Sequence, residues 1–439
     1  LAKLSFGTDG VRGVANTELT ADFALELGRA AASELSVGPV LIGSDTRRSG
    51  SMLSAAFQAG VHSVGVDTVD VGVFPSGGIG RLTGSSDATM GVIITASHNP
   101  AQDNGIKLID ARGAKLSRER ESVIESVLDN PNWVVPKGSG VGARRSSPDG
   151  FNQYLEMLTS GVSYRFRGIS VVLDTANGAA YQAAPELMAR LNTDLETIHD
   201  TPDGNNINLR CGATDIASLR EACDGKIGLA FDGDADRLIA VDERGREANG
   251  DVVMAVLSRF MKQSGTLRNN TVVGTVMSNL GFRYAMRDLG IDYVDVAVGD
   301  RNVSAALEDT RGGLGGEQSG HVIFPRVAPT GDGLLTAVRL LEVVAATGKT
   351  LAELRDDVIT EYPQVLRNVT VADASGLSDN RQVWAAVEKT EAALGNDGRV
   401  LVRASGTEPL VRVMVEASSG HQATELAMEL CEVVRVSMG

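Results

Sequence analysis

Short apolar, β-branched runs alternate along this chain with longer amphipathic ones. Three stretches share an outline. "PVLIGSDTRRSG" leads into a helical pattern over 51–60 and then "VHSVGVDTVDVG". "ISVVLDTANGAA" leads into a helical pattern ending at Leu191 and then "DLETIHD". "NTVVGTVMSNLG" leads into a helical pattern ending at Leu289 and then "IDYVDVAVGD". Each reads as strand, small or polar turn, amphipathic helix, strand, which is the βαβ signature of a sheet covered by helices. The stretches agree in pattern rather than identity and predict three related mixed α/β domains. The tail differs: "RVLVRASGTEP" and "LVRVMVEAS" read as strands and 422–436 as an amphipathic helix, too short to repeat the larger unit. The expected fold class is therefore α/β, with a smaller C-terminal α+β domain.

Boundaries follow from turn chemistry. "NPNWVVPKGSGVGARRSSPDG" (130–150) mixes Pro, Gly and Ser and reads as a linker. A second break follows "LIAVDERG" near Gly250, and a third falls around Tyr362 and Pro363. The expected domains are 1–150, 151–250, 251–362 and 363–439. Length alone, 439 residues, suggests only about three domains.

Composition narrows the function classes. With 43% apolar and 22% charged residues, the chain is an ordinary globular one. A formal net charge of −15 argues against nucleic acid or an anionic membrane as partner. Aromatics at 4% leave little surface for stacking single-stranded bases. An anionic small molecule, needing only a few arginines and backbone amides, stays open. The three cysteines, Cys211, Cys223 and Cys431, are far apart and suggest neither a disulfide framework nor a zinc site. They point to a reducing compartment. "LAKLSFGTDGVRG" lacks the apolar core of a signal peptide, and no apolar run approaches the ~18 residues of a membrane span. A cytoplasmic location is expected.

Four loops could carry chemistry. In "GVIITASHNPAQDNGIKL", Ser97 follows an apolar strand, with Gly105 and Lys107 able to bring bare backbone and a cation to an anion. Taken alone, these residues read more plainly as an ordinary turn shaped by Ser, Asn and Pro. In "LAFDGDADRLIAVDERG", Asp232, Asp234 and Asp236 alternate, so in extended backbone they share one face. Three hard oxygen ligands suit Mg²⁺. Glu243 stands twelfth from Asp232, the register of an EF-hand, but Arg237 occupies the sixth place, where that turn needs Gly, and "LIAV" reads as a strand. In "GGLGGEQSGHVIF", Glu317, Ser319 and His321 would line a polyol-binding edge if extended. In "VRASGTEPLVRVMVEA", Arg403, Ser405, Gly406 and Thr407, with Arg412 beyond, could form an anion nest. The same residues also make a plain inter-strand loop. Together, a metal, a hydroxyl, a polyol edge and a phosphate clamp are the parts that phosphoryl transfer on a sugar phosphate needs.

Over essentially its whole length, with the four loops in the family's order, the sequence resembles the α-D-phosphohexomutase family. "TASHNP" and "DGDADR" carry that resemblance. "FGTDGVRG", "TPDGNNIN" and "GEQSGH" bring it closest to bacterial members that interconvert glucosamine 6-phosphate and glucosamine 1-phosphate, feeding amino-sugar nucleotide and cell-wall precursor synthesis. The resemblance implies four domains around a central active-site cleft. It implies that Ser97 is carried as phosphoserine and that Mg²⁺ is held by the three aspartates and a phosphoserine oxygen. It implies a glucosamine or glucose 1,6-bisphosphate intermediate or activator. Arg237 stands beside the metal by the same resemblance, and Arg12, Lys107 and His321 are the candidates for proton handling. Lys107 comes first among them because its pKa falls readily on burial. His98 is expected to point away from the Ser97 side chain in extended backbone. Glu317 and Ser319 would hold sugar hydroxyls, Arg301 in "VGDRNV" would add a substrate contact, and the 403–412 clamp would hold the non-reacting phosphate. The expected partner is a small hexosamine phosphate, and the resemblance also suggests a homodimer.

Overall fold

The computed structural model describes residues 4–7, 9–34, 38–147, 149–405 and 409–439. The β-branched runs form four sheets. The first holds β1 (Val11–Val14), β2 (Val40–Ser44), β3 (Thr68–Val73), β4 (Met90–Ile94), β5 (Asp103–Asp110) and β6 (Arg144–Ser146), in the order β1-β5-β4-β2-β3-β6. The second holds β7 (Ser170–Asp174), β8 (Asp194–Ile198), β9 (Ile227–Phe231), β10 (Leu238–Val241) and β11 (Glu247–Ala248), in the order β11-β10-β9-β7-β8. The third holds β12 (Thr271–Thr275), β13 (Asp292–Val296), β14 (Leu314–Gly316) and β15 (Val322–Ile323), in the order β13-β12-β14-β15. The three βαβ units expected from the pattern are present, with β2/β3, β7/β8 and β12/β13 each pairing in parallel. Hairpin partners such as β4/β5 and β9/β10 are antiparallel, so the sheets are mixed.

The fourth sheet is a three-stranded antiparallel one of β16 (Gln364–Thr370), β18 (Leu410–Glu416) and β17 (Arg399–Ala404), backed by the helices Arg381–Leu394 and Gly420–Met438. Contacts divide the chain into two compact units, one of residues 1–277 and 291–358, the other of 278–290 and 359–439. The helix Leu280–Asp288, which follows β12 in sequence, thus packs with the C-terminal unit. There the Leu280 amide donates to Glu416 at 3.3 Å and the Tyr284 hydroxyl to the Asn396 carbonyl at 2.5 Å.

The segment 130–150 is more than the linker its composition suggests, because Arg144–Ser146 pairs in parallel with β3 as the sheet's edge strand. In the first domain the helices Ala21–Ser33 and Gly50–Ser63 bury Leu27, Leu53, Phe57 and Val61 against Ile42, Val92, Ile94 and Ile106 of the sheet. That apolar floor fixes the ends of β4 and β5, from which the reactive groups project. No helix among the described residues is long and apolar enough to cross a membrane.

Candidate active site

Ser97 lies three residues past the end of β4 and is buried. Its φ is +51°, in the left-handed region, which costs a non-glycine residue roughly 1–2 kcal/mol. The surroundings hold it there. The Ser97 amide donates to Thr95 Oγ1 at 2.9 Å, and Thr95 Oγ1 donates to Asp45 at 2.6 Å. Arg47, fully buried and paired with Asp45 at 2.9 Å, donates to the carbonyls of Ser97 (2.9 Å), Asn99 (2.8 Å) and Asp103 (3.0 Å). The Asn208 amide adds donors to Ser97 (2.8 Å) and Asn99 (3.1 Å). Because the backbone is turned rather than extended, His98 does not point away as expected; its Nδ1 lies 3.3 Å from Ser97 Oγ.

The three aspartates follow β9. They occupy a turn with Ala235 at φ +59°, not the extended run that would align alternate residues. The turn nevertheless gathers one oxygen of each within 4.8 Å of the others. It also brings them against the serine, with Ser97 Oγ donating to Asp232 Oδ2 at 2.6 Å. Gly233 permits this approach, since a Cβ there would stand 2.6 Å from the Ser97 carbonyl oxygen. Burial and the charges of Asp236 and Asp234 push the Asp232 carboxyl well above its ordinary range. Oδ1 of Asp234 and Oδ1 of Asp236 are buried without hydrogen-bond partners. Crowded, buried, partly orphaned carboxylate oxygens fit a hard divalent cation.

Lys107, on β5 opposite Ile93 of β4, reaches into this cluster. Its Nζ lies 2.9 Å from Asp234, 2.9 Å from Asp9 and 3.6 Å from Asp236. Burial pushes its pKa down, as expected, but Asp234, Asp9 and Asp236 outweigh burial, and the net shift is upward. Lys107 is therefore a charged group here, a correction to the expected fall. Arg12 donates to the Ala96 carbonyl at 3.2 Å and to Asn99 at 3.3 Å and pairs with Asp9. The Arg237 amide donates to Asp232 at 3.2 Å, and its guanidinium lies 3.7 Å from Asp236. His321 Nε2 lies 3.9 Å from Asp236 and 3.8 Å from Asp300, while its Nδ1 is buried without a partner.

Several members of the cluster escape sequence reasoning. Asp9 joins Arg12, Lys107 and Lys115, and Lys115 also pairs with Asp300. Ser76 donates to Asp234 at 2.7 Å. Asp9 stands in "FGTDGVRG" and Asp300 in "VGDRNV", so each had a signal beside Arg12 or Arg301; Lys115 and Ser76 had none.

The remaining loops depart from expectation. Residues 317–320 form a turn between β14 and β15, so Glu317, Ser319 and His321 do not share an extended edge. Glu317 accepts the Gly299 amide at 3.0 Å, and Ser319 is exposed. The Arg301 guanidinium is engaged by the buried Glu121 at 2.7 and 3.1 Å. In the C-terminal unit Arg403 and Arg412 stand directly opposite each other on β17 and β18. Burial and the Arg412 charge push the Arg403 pKa down. The Ser405 amide bonds the Leu410 carbonyl at 2.9 Å, while Gly406 and Thr407 lie outside the described residues.

Four family models match the chain. They are described as phosphoglucomutase/phosphomannomutase alpha/beta/alpha domain I (3–134), domain II (152–245), domain III (249–362) and the C-terminal domain (366–433). The phosphoglucosamine mutase of Rhodococcus erythropolis is 49% identical, over 98% of this chain and 98% of its own length. That of Desulforudis audaxviator is 45% identical, over 98% and 97%. A solved phosphoglucomutase/phosphomannomutase family protein from Burkholderia thailandensis superimposes with a TM-score of 0.82 at 24% identity, over 98% of this chain and 97% of its own.

Proposed function

Because the chain belongs to the phosphoglucomutase/phosphomannomutase family, we propose that it interconverts glucosamine 6-phosphate and glucosamine 1-phosphate through a phosphorylated Ser97. The observation that carries the reading is the 2.6 Å contact between Ser97 Oγ and Asp232, inside a buried carboxylate cluster more than a hundred positions away in sequence. The choice of an amino sugar follows the relatives named phosphoglucosamine mutase. Such an enzyme feeds amino-sugar nucleotide and cell-wall precursor synthesis in the cytoplasm.

Transfer starts from phosphoserine. The free sugar hydroxyl attacks phosphorus, the bond from phosphorus to Ser97 Oγ breaks, and a 1,6-bisphosphate forms. The hydroxyl proton leaves to a base, and Ser97 Oγ gains one. The bisphosphate then reverses its ends, and its other phosphoryl group returns to Ser97. The ammonium of Lys107 and the guanidinium groups of Arg12 and Arg237 offset the charge spread over the phosphoryl oxygens. Lys107 accepts a proton only after losing its own; His321, with an unpartnered Nδ1, is the other base available beside the carboxylates. Glu317 and Ser319 bind sugar hydroxyls. Arg403, Ser405, Gly406, Thr407 and Arg412 hold the non-reacting phosphate, whose charge would offset the repulsion between the two facing guanidinium groups. Asp232, Asp234 and Asp236, with a phosphoserine oxygen at Ser97, would hold Mg²⁺, which would supply neutralising charge at the reacting phosphoryl group.

Intact mass and peptide mapping of the purified protein test the reading. A phosphate adduct is expected on Ser97, lost in Ser97→Ala together with mutase turnover; an active alanine variant contradicts it. Turnover of glucosamine, glucose and mannose phosphates tests the sugar. If the glucosamine ester is the poorest of the three, the chain is a mutase of another hexose.

A further inference from the structure

A second group of metal-ligating side chains lies outside the site described above. Asp174 ends β7, His199 follows β8, and Cys211 closes the next loop. One ligand atom from each lies within 4.8 Å of the others. β7 and β8 are parallel neighbours, so the group sits at the carboxyl edge of a parallel pair, where open α/β sheets bind ligands. Asp174 and Cys211 are buried, and the His199 side chain is 29% exposed, which leaves a path from solvent.

His199 is held in place by its backbone rather than by its ring. Its φ is +49°, and its carbonyl accepts the Asn177 amide at 2.6 Å and the Thr175 hydroxyl at 2.7 Å. The ring Nδ1 lies 3.1 Å from Asp174 Oδ2, and the same carboxylate accepts the backbone amides of Ala176 at 2.9 Å and Gly212 at 2.8 Å, which aim it at the ring. The Asp174 carboxyl and the Cys211 thiol are the acidic groups of this cluster. A divalent ion would balance one carboxylate and one thiolate, with a neutral imidazole as the third ligand.

We propose that Asp174, His199 and Cys211 bind Zn²⁺ or another borderline-soft divalent ion, with water in the fourth position. The thiolate separates this site chemically from the all-oxygen trio at Ser97, which suits Mg²⁺. The ion clips together the ends of two strands and the loop 199–211. That loop carries Asn208, whose side chain donates to the Ser97 and Asn99 carbonyls and whose amide donates to Ala176 at 3.0 Å. Occupancy therefore stiffens the support beneath the reactive serine. The wide spacing of the three ligands in sequence hides them from motif reading.

The full-length protein, stripped of metal and then saturated with Mg²⁺, is titrated with Co²⁺. A near-ultraviolet thiolate-to-cobalt charge-transfer band is expected to saturate at one ion per chain and to be displaced by Zn²⁺. Cys211→Ser abolishes it, a variant lacking Cys223 and Cys431 keeps it, and His199→Ala weakens Co²⁺ binding by about tenfold or more. No band in excess Co²⁺, or a band that survives Cys211→Ser, overturns the assignment and leaves the group an internal polar cluster. Should Cys211→Ser fail to fold, His199→Ala decides, since its side chain is partly exposed; unchanged Co²⁺ affinity in that variant overturns the site.

Discussion

Lys107 sets the charge balance around Ser97. Its ammonium stands where three carboxylates converge, 2.9 Å from Asp234 and 3.6 Å from Asp236. A cation bound there feels the repulsion of that ammonium, worth a few kcal/mol for unit charges about 4 Å apart at an effective dielectric near 20. Lys107→Met should therefore raise Mg²⁺ affinity by about tenfold or more in calorimetric titration while mutase turnover falls. In chelator the same variant leaves buried carboxylates unpaired and should lose roughly 3–5 kcal/mol in denaturant unfolding. Unchanged Mg²⁺ affinity would show that the ammonium does not oppose the cation. His98 supplies a pH prediction. Burial, then Arg237 and Arg12, lower its pKa from 6.5 to about 4. Between those values the unfolded state is protonated and the folded state is not, so stability falls as pH drops from about 6.5 to about 4. His98→Asn should remove that share of the decline, read as the difference between the two stability curves. At this scale Ser97 and the three aspartates were legible through the resemblance carried by "TASHNP" and "DGDADR", since the serine alone reads as a turn and the aspartates are not aligned by extended backbone. Asp9, Lys115, Arg47 and the reach of His98 were not, since each acts through a partner distant in sequence or through a backbone angle no pattern reveals.

Elements were read more securely than the turns between them. The βαβ alternation follows from apolar periodicity, which survives packing. The turns at Ser97 and Ala235 do not, because a left-handed φ at a non-glycine residue is imposed by neighbours such as Arg47 and Asn208. For the same reason 317–320 reads as extended yet folds as a turn, and Arg144–Ser146, exposed and charged, joins a sheet as its edge strand. The pair β17/β18 carries its own prediction. Arg403 and Arg412 face each other across the strands, and like charges directly opposite destabilise an antiparallel pair. Inorganic phosphate should raise the melting temperature of the wild-type protein, measured against equal ionic strength of chloride. Arg403→Gln should lose that gain and be more stable in chloride by some tenths to about 1 kcal/mol. Equal melting shifts in the two proteins would remove the arginine pair from the phosphate clamp.

The molecule as a whole combines a formal net charge of −15 with a substrate that is itself an anion. A net negative charge argues against extended polyanions as partners without excluding a phosphate ester, for which Arg12, Lys107, Arg237, Arg403 and Arg412 are the proposed local cations. The division into α/β repeats and a smaller C-terminal domain was legible from the pattern. The packing of Leu280–Asp288 with the C-terminal unit was not, because helix periodicity states that a face is buried and not against what. The apolar cores, around Phe57 and Ile42 in the first domain and around Val413 and Val387 in the last, do not include the aspartates. Without a bound cation, Asp234 and Asp236 already have Lys107 as partner, and Asp232 has the Ser97 hydroxyl. The fold is therefore expected to survive loss of the metal, whereas turnover, which must offset the charge on a transferring phosphoryl group, is not. Chelation should abolish mutase turnover while far-ultraviolet circular dichroism is unchanged and the melting temperature moves by only a few degrees, as expected for loss of a weakly coupled ligand from a chain of this size. Retained turnover in chelator would contradict the metal assignment at the three aspartates. Collapse of the fold would instead show that Lys107 alone does not hold their charge.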